Sequence, residues 1–216
     1  MMENMKVKRI LISDDHAVVR RGLKQIIVEG FIDVEITEAT NGLDAERLAL
    51  SNNFDIIILD ISLPGKNGLD VLKQLIESGI KAKILILSIY PEDQYGIRVI
   101  KAGASGFLNK DSAPNELVDA INTLFNGRKY LTPKISEQLA NQISSGNKQP
   151  HETLSDREFQ VMQLLANGKT VNEIADVLIL SSATVNTYRA RVLTKLNIRN
   201  HAELTRYVMD AGIFSN

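Results

Sequence analysis

Residues 54–68 read FDIIILDISLPGKNG. Four aliphatic residues, Ile56 to Leu59, run unbroken into an acid, Asp60. A short β-branched run of this kind reads as a strand buried on both faces, the type found in parallel sheets. Pro64, Gly65, Asn67 and Gly68 then mark a loop. Asp60 is therefore expected at the carboxyl end of a central strand, the edge where open parallel sheets collect ligands and chemistry. Taken alone, the stretch also admits a plainer reading, a turn aspartate that caps the following helix. The flanking sequence decides between the two.

Strand-like runs recur on both sides, at Lys8 to Ser13, Val34 to Thr40, Lys83 to Ser88 and Ser105 to Asn109, the second being the weakest. Amphipathic helical patterns lie between them, near 16–29, 42–52, 68–78 and 92–102, with a fifth at 113–127. Gly30, Gly79 and Gly103 fall near helix ends, where C-terminal glycines belong. Five strands alternating with five helices imply a doubly wound α/β fold, a parallel sheet covered on both faces. After Gly127 the alternation stops. Pro133 suits the first turn of a sixth helix that runs to about Ile143. Residues 144–153, SSGNKQPHET, are polar and rich in turn formers, and read as a linker. From Leu154 onward the pattern is helical, with no strand-like run. The expected organisation is an α/β domain over 6–130, a helix and linker over 131–152, and an all-α domain over 153–216.

The 216 residues suffice for two small domains. The absence of cysteine excludes disulfides and thiolate metal sites. A formal net charge of −1 gives no global sign of a nucleic-acid partner, so charge must be read locally. No apolar run approaches the roughly 18 residues of a membrane span. No apolar signal-peptide core follows the opening MMENMKVKR, so a cytoplasmic location is expected.

The first strand ends in LISDDH, residues 11–16, which puts Asp14 and Asp15 at the same kind of edge as Asp60. With strand order 2-1-3-4-5, strands one and three are neighbours at the topological switch point, and the three carboxylates converge. Left unpaired they would repel and raise one another's pKa values. Mg²⁺, a hard cation that takes carboxylate, water and phosphate oxygens, resolves this. Helix capping is the plainer role for Asp14 and Asp15. Strand four ends in Ser88 and strand five leads into Lys110, so a hydroxyl and an ammonium reach the same edge. Each alone is an ordinary loop residue; together with the acids they compose a phosphoryl site. Asp60 is the nucleophile, since a carboxylate can accept a phosphoryl group as an acyl phosphate. Mg²⁺ and Lys110 neutralise the oxygens in transfer, and Ser88 hydrogen-bonds one of them afterwards.

The segment 154–196 reads as helix, turn, helix, turn, longer helix, a helix-turn-helix arrangement. Ser155 and Glu158 form a capping box, and Ser181 caps the third helix. Residues 151–181 hold two basic and five acidic residues, whereas 182–206 hold five basic and one acidic. That basic end is either a phosphate footprint or a solvated charged helix. On the third helix Val185, Val192 and Leu196 share a core-facing stripe. Asn186, Thr187, Ala190, Arg191 and Thr194 lie on the other side, and with Thr184 and Lys195 they are the candidate contacts to double-stranded DNA. Asn pairs with adenine, Arg with guanine, and Thr with bases or a thymine methyl in the major groove. Arg189 lies nearer the buried edge.

Residues 8–128 resemble the receiver domain of two-component response regulators, with its flavodoxin-like fold. The resemblance rests on the DD at 14–15, the acceptor motif IIILDISLPGKNG, Ser88, and GFLNKD at 106–111. It implies that Asp60 takes phosphate from a sensor histidine kinase, and that Asp14, Asp15, Asp60 and the backbone carbonyl of Ser62 hold Mg²⁺. It also implies that Ser88 and Phe107 are switch residues, the ring of Phe107 turning inward on phosphorylation. Residues 150–215 resemble the LuxR-type helix-turn-helix domain, through LSDRE at 154–158, NEIA at 172–175, Ser181, Thr184–Val185, KL at 195–196 and EL at 203–204. The pair is similar to the NarL/FixJ group, which implies a transcription factor that forms homodimers when phosphorylated, with the fourth helix, about Asn200 to Ala211, as dimer contact. Ile89 departs from the small residue usual after the switch hydroxyl, and is expected to slow loss of phosphate by limiting water. Gln160, Asn186 and Tyr188 also depart from the residues common in relatives.

Two other functions compete. A haloacid-dehalogenase-type phosphatase also forms an aspartyl phosphate, but it wants a carboxylate two residues after the nucleophile, and this chain has Ser62. A DNA-binding regulator that ignores phosphate is the other, disfavoured by the complete set of acids, Ser88 and Lys110. The receiver is therefore expected not to be an enzyme beyond supporting its own phosphotransfer and dephosphorylation.

Overall fold

A computed structural model describes residues 7–145 and 149–213. The described residues divide into two compact units, Met1–Gln138 and Leu139–Asn216.

The first unit alternates strands and helices: β1 (Lys8–Ser13), α1 (Ala17–Gly30), β2 (Val34–Ala39), α2 (Gly42–Ser51), β3 (Ile56–Asp60), α3 (Gly68–Glu77), β4 (Lys83–Ser88), α4 (Glu92–Lys101), β5 (Gly106–Asn109) and α5 (Ala113–Phe125). The strands pair in parallel in the order β2-β1-β3-β4-β5, so β1 and β3 are neighbours at the switch point. The unbroken aliphatic runs are explained by burial on both faces. Ile10, Ile12, Ile56, Ile58, Leu85, Leu87 and Leu108 meet Leu23 and Ile27 of α1 and Leu117, Ile121 and Leu124 of α5. Alternation along the strands sends the intervening residues, among them Leu11, Ile57, Leu59 and Ile86, to the opposite face, and these too are buried. There α2 contacts β1 and β2, α3 contacts β3, and α4 contacts β5. Full burial of each such side chain contributes on the order of 1.5–3 kcal/mol.

Helix ends fall within two residues of those expected from the sequence. Gly79 and Gly103 take the left-handed conformation, with φ of 70° and 105°. Gly30 does not; it is the last residue of α1, and Phe31 follows in extended conformation. A Cβ on Gly30 would come within 2.9 Å of Val118, so close packing of α1 on α5 accounts for this glycine. Beyond the sheet, Tyr130 bridges Gly106 and its hydroxyl donates to Glu116 at 2.7 Å. The next helix, α6 (Pro133–Ser145), carries the division between the two units.

The second unit contains α7 (Asp156–Ala166), α8 (Val171–Leu178), α9 (Ser182–Leu196) and α10 (His201–Asp210). Helices α7, α8, α9 and α10 gather around a core that includes Phe159, Ile174, Val185, Val192, Leu204 and Val208. The Ser155–Glu158 capping box and the Ser181 cap are both formed. One expectation needs correction. The end of the stretch assigned to the linker is a 3₁₀ turn, Pro150–Thr153. The backbone N–H of His151 donates to the Tyr207 hydroxyl at 3.1 Å, and its Nδ1 lies 2.9 Å from the same oxygen. Local composition reads these residues as loop, while a partner 56 positions away folds them onto α10. Residues 146–148 of that stretch lie outside the described residues. No helix among the described residues is long and apolar enough to cross a membrane.

Candidate functional site

The carboxyl edge of the sheet positions the predicted acids through register. Ser13 pairs with Leu59, so Asp14 and Asp60 leave adjacent strands side by side. The chain turns sharply after Asp60. The N–H of Gly68 donates to the Ile61 carbonyl at 2.9 Å, and a Cβ on Gly68 would fall 1.9 Å from the Asp60 carbonyl oxygen. Only glycine lets α3 begin there. Asn67 then caps α3, its Oδ1 accepting the Leu69 N–H at 2.7 Å. On the other side, the N–H of Lys110 donates to the Ser88 carbonyl at 2.8 Å, tying the end of β5 to β4.

Lys110 extends from this tie into the crevice. Its Nζ lies 2.6 Å from Oδ2 of Asp14 and 2.8 Å from Oδ2 of Asp60. Both carboxylates are buried, at 0% and 1% exposed. Oδ1 of Asp60 accepts the Ser62 N–H at 3.2 Å, and Oδ1 of Asp14 accepts the His16 N–H at 2.8 Å. Burial pushes the Asp60 carboxyl above the usual range; Lys110 opposes this, the charge of Asp14 adds to it, and the net shift is upward. Burial also works against the Lys110 ammonium, but Asp60 and Asp14 outweigh it and hold its pKa above the ordinary lysine value. One ammonium thus faces two buried acids, and negative charge is left over.

Asp15 is exposed, and its Oδ1 lies 2.8 Å from Nδ1 of His16. Ligand atoms of Asp14, Asp15 and His16 fall within 4.8 Å of one another. Asp60 joins this group through Asp14 and their shared lysine. Hard oxygen donors beside uncompensated negative charge suit a hard dication. His16 stands beside the two acids in the DDH of residues 14–16, a neighbour that carboxylate chemistry alone does not single out. Ser88 is fully buried, and its Oγ accepts the Tyr90 N–H at 3.0 Å. Phe107 is 0% exposed, so its ring is already inside. Ile89, next to Ser88 in the chain, is 62% exposed.

In the second unit, α9 separates its faces as its period requires. Val185, Val192 and Leu196 are buried, while Asn186, Thr187, Arg189, Ala190, Arg191 and Thr194 are exposed. Thr184 is half-buried, with its hydroxyl 2.7 Å from that of Ser181. The Thr187 hydroxyl donates back to the Ala183 carbonyl at 3.0 Å. Lys195 is exposed too, but it is paired. Its Nζ lies 2.6 Å from Oε2 of Glu158, so its charge is engaged within the unit. That pair links α9 to the α7 cap, a contact 37 positions apart that helix period does not reveal.

Residues 10–122 match the family model for the response regulator receiver domain, and residues 152–208 match that for bacterial regulatory proteins of the luxR family. The response regulator UvrY of Escherichia coli (strain K12) is 37% identical over 207 residues, covering 94% of each chain. The response regulator GacA of Pseudomonas aeruginosa is 34% identical over 213 residues, covering 95% of this chain and 97% of its own. Among solved structures, the RcsB response regulator of Salmonella typhimurium is 25% identical, with a TM-score of 0.57 over 95% of this chain and 100% of that one. RcsB has also been solved as two dimers bound to two parallel DNAs, at 25% identity and a TM-score of 0.58, covering 94% and 98% of the two chains. Two matched domains in this order, with relatives that span nearly the whole chain, make this protein a response regulator of the NarL/FixJ family, a receiver followed by a LuxR-type DNA-binding domain.

Proposed function

We propose that the protein is a phosphorylation-controlled transcription factor that accepts a phosphoryl group on Asp60 from a sensor histidine kinase and binds promoter DNA through α9. The observation that carries this reading is the buried Asp60 at the end of β3, with the Lys110 ammonium 2.8 Å from its Oδ2. A carboxylate oxygen of Asp60 bonds to phosphorus as the P–N bond of the kinase's phosphohistidine breaks. The electron pair stays with the imidazole, which leaves neutral after taking up a proton. Lys110 holds charge on the transferring oxygens, and Ser88, once released from the Tyr90 N–H, donates its hydroxyl to one of them. Asp14, Asp15, Asp60 and the Ser62 carbonyl would hold Mg²⁺. When bound it supplies the remaining positive charge for a phosphoryl group that carries its own negative oxygens. The receiver turns over no external substrate.

On DNA, the exposed Asn186, Thr187, Ala190, Arg191 and Thr194 face the major groove. Thr184, at the start of α9, joins them, and Lys195 reaches a phosphate only by leaving Glu158. Homodimers read paired half-sites about one helical turn, ~34 Å, apart or a multiple of it. RcsB bound to DNA as dimers supports this assembly. α10, which exposes Met209, is the proposed dimer contact. The location is the cytoplasm, where promoter DNA is.

The test is phosphoryl incorporation from acetyl phosphate, read by intact mass with and without Mg²⁺, beside Asp60→Asn. One added phosphoryl group, dependent on Mg²⁺ and absent from the variant, is expected. Incorporation that survives Asp60→Asn would overturn the assignment. Operator affinity of the two phosphorylation states at fixed salt then tests the coupling to DNA.

A further inference from the structure

Two consecutive arginines near the start of α1 behave differently. Arg21 is exposed, whereas the side chain of Arg20 is drawn in and only 13% exposed. A cation in the first turn of a helix meets the positive end of the helix dipole, so local preference does not place Arg20 there. Two acceptors do. Its Nη1 donates to the backbone carbonyl of Asp14 at 2.9 Å, and its Nε donates to Oε2 of Glu38, on β2, at 3.1 Å. Lys24, one turn further along α1, donates to the other oxygen of Glu38 at 3.3 Å. The hydrogen bond from Arg20 is the main reason that the Glu38 carboxyl stands below its ordinary range, so the pair stays ionised at neutral pH.

The carbonyl that Arg20 holds belongs to the peptide joining Asp14 to Asp15. Further ties hold Asp14 itself. Its N–H donates to the Ala39 carbonyl at 3.2 Å, and its Oδ1 accepts the His16 N–H at 2.8 Å. Asp15 is exposed, and the direction in which its carboxylate leaves the chain is set by the peptide that Arg20 fastens. In this arrangement ligand atoms of Asp14 and Asp15 fall within 4.8 Å of each other. Glu38 offsets the guanidinium charge, so what Arg20 gives the two acids is mainly a fixed direction.

We infer that Arg20 is a positioning residue for divalent-cation binding at the phosphoacceptor site: with Glu38 it fixes the Asp14–Asp15 peptide so that both carboxylates serve one ion. The inference rests on the reading of Asp14 and Asp15 as Mg²⁺ ligands. Its chemistry requires a planar fork, because Nε and Nη1 satisfy acceptors on two different elements at once. Lysine carries the same charge on a single nitrogen and does not reproduce that fork.

Mn²⁺ binding to the unphosphorylated full chain, read by electron paramagnetic resonance of the free ion, tests this. Arg20→Lys is expected to weaken binding by about tenfold or more, the scale of losing a group that orients a metal ligand. Phosphoryl incorporation from acetyl phosphate should then require a correspondingly higher Mg²⁺ concentration, with the rate at saturating Mg²⁺ largely kept. A general loss of structure does not produce that split. Glu38→Ala, which releases the guanidinium from β2, should weaken Mn²⁺ binding by a smaller factor, and Arg21→Ala should leave it unchanged. Amide exchange over β1 and β3 shows whether each variant is folded; if Arg20→Lys is not, Glu38→Ala decides in its place. Native affinity for Mn²⁺ in folded Arg20→Lys overturns the brace and leaves the metal site standing. A saturating rate that falls while the Mg²⁺ requirement stays fixed also overturns it. Native protein that binds no Mn²⁺, or Asp15→Ala that binds it equally well, overturns the reading of the acids and the brace with it.

Discussion

Two lysines hold buried carboxylates in this molecule, and they do so in opposite circumstances. Lys110 is shared by Asp14 and Asp60, with Asp15 beside them, so its single charge leaves the crevice negative. Lys195 serves Glu158 alone, and Glu158 also accepts the Ser155 N–H at 2.7 Å. Burial pushes both acids toward the neutral form. At Asp60 burial prevails and the carboxyl stands above its ordinary value. At Glu158 Lys195 and the cap prevail and the carboxyl stands below it. The first arrangement leaves negative charge over, while the second is balanced by its own lysine. Residual charge, rather than burial or pairing alone, separates the two lysines.

The largest expected effect lies at the shared lysine. Lys110→Ala removes the ammonium that the two buried acids share, and phosphoryl incorporation from acetyl phosphate is expected to slow by about 10²–10³, the scale of losing one preorganised charge. A fall of less than about tenfold would show that Lys110 balances charge in the resting site without acting on the transferring group.

At the balanced pair the expected loss is one of stability. Glu158→Gln keeps the volume but discharges the pair and weakens the cap, at a cost of about 2 kcal/mol, read as faster amide exchange in α7. The pH dependence follows from the lowered carboxyl. Its stabilisation is present above the unfolded value, about 4.3, and is lost as pH falls through the folded one. Native protein and variant should therefore converge only in acid, once the pH has fallen below the lowered value of the folded carboxyl. Asp60→Asn carries the opposite sign. A carboxyl raised above its unfolded value opposes folding when ionised, so this variant should be more stable at pH 7, with the gain vanishing in acid. Exchange in β3 measures it. If both substitutions moved stability in the same direction, the contrast between the two lysines would fail.

The contrast also explains what was legible in the sequence. The sheet and its acids were readable because strands buried on both faces are uninterrupted aliphatic runs, and each run at Ser13, Asp60 and Ser88 ends in the polar residue it presents. Register does the rest: once β1 and β3 are neighbours, Asp14 and Asp60 must meet. The α9 stripe was readable for a similar reason, since period alone assigns Val185, Val192 and Leu196 to the core. What escaped depends on partners far along the chain. Lys195 has the surface character of a DNA contact until Glu158 is brought beside it. His151 sits in a polar stretch whose composition signals a linker, and it is Tyr207 and Phe159, far along the chain or across the unit, that fold it. Gly96 looks like a weak point in α4 until Ile135 occupies the space beside it.

The smallest effect concerns the turn between α8 and α9. Ile179 ends α8 with φ 54° and ψ 52°, the left-handed region, where a β-branched side chain costs about 1–2 kcal/mol. Burial does not offset that cost, because Ile179 is 69% exposed. The turn around it is otherwise satisfied, with the Leu180 N–H donating to the Ala175 carbonyl at 2.8 Å. Asparagine adopts this conformation readily, so Ile179→Asn is expected to stabilise the second unit by up to about 1 kcal/mol, read as slower amide exchange in α8 and α9. The same variant should be assayed for operator affinity. Unchanged affinity would mean that the strain serves no contact with DNA. Weaker binding by a more stable domain would mean that an exposed apolar residue is held in a costly conformation to touch the DNA, which would place in the turn of the second unit the kind of uncompensated local cost that the first unit keeps at Asp60.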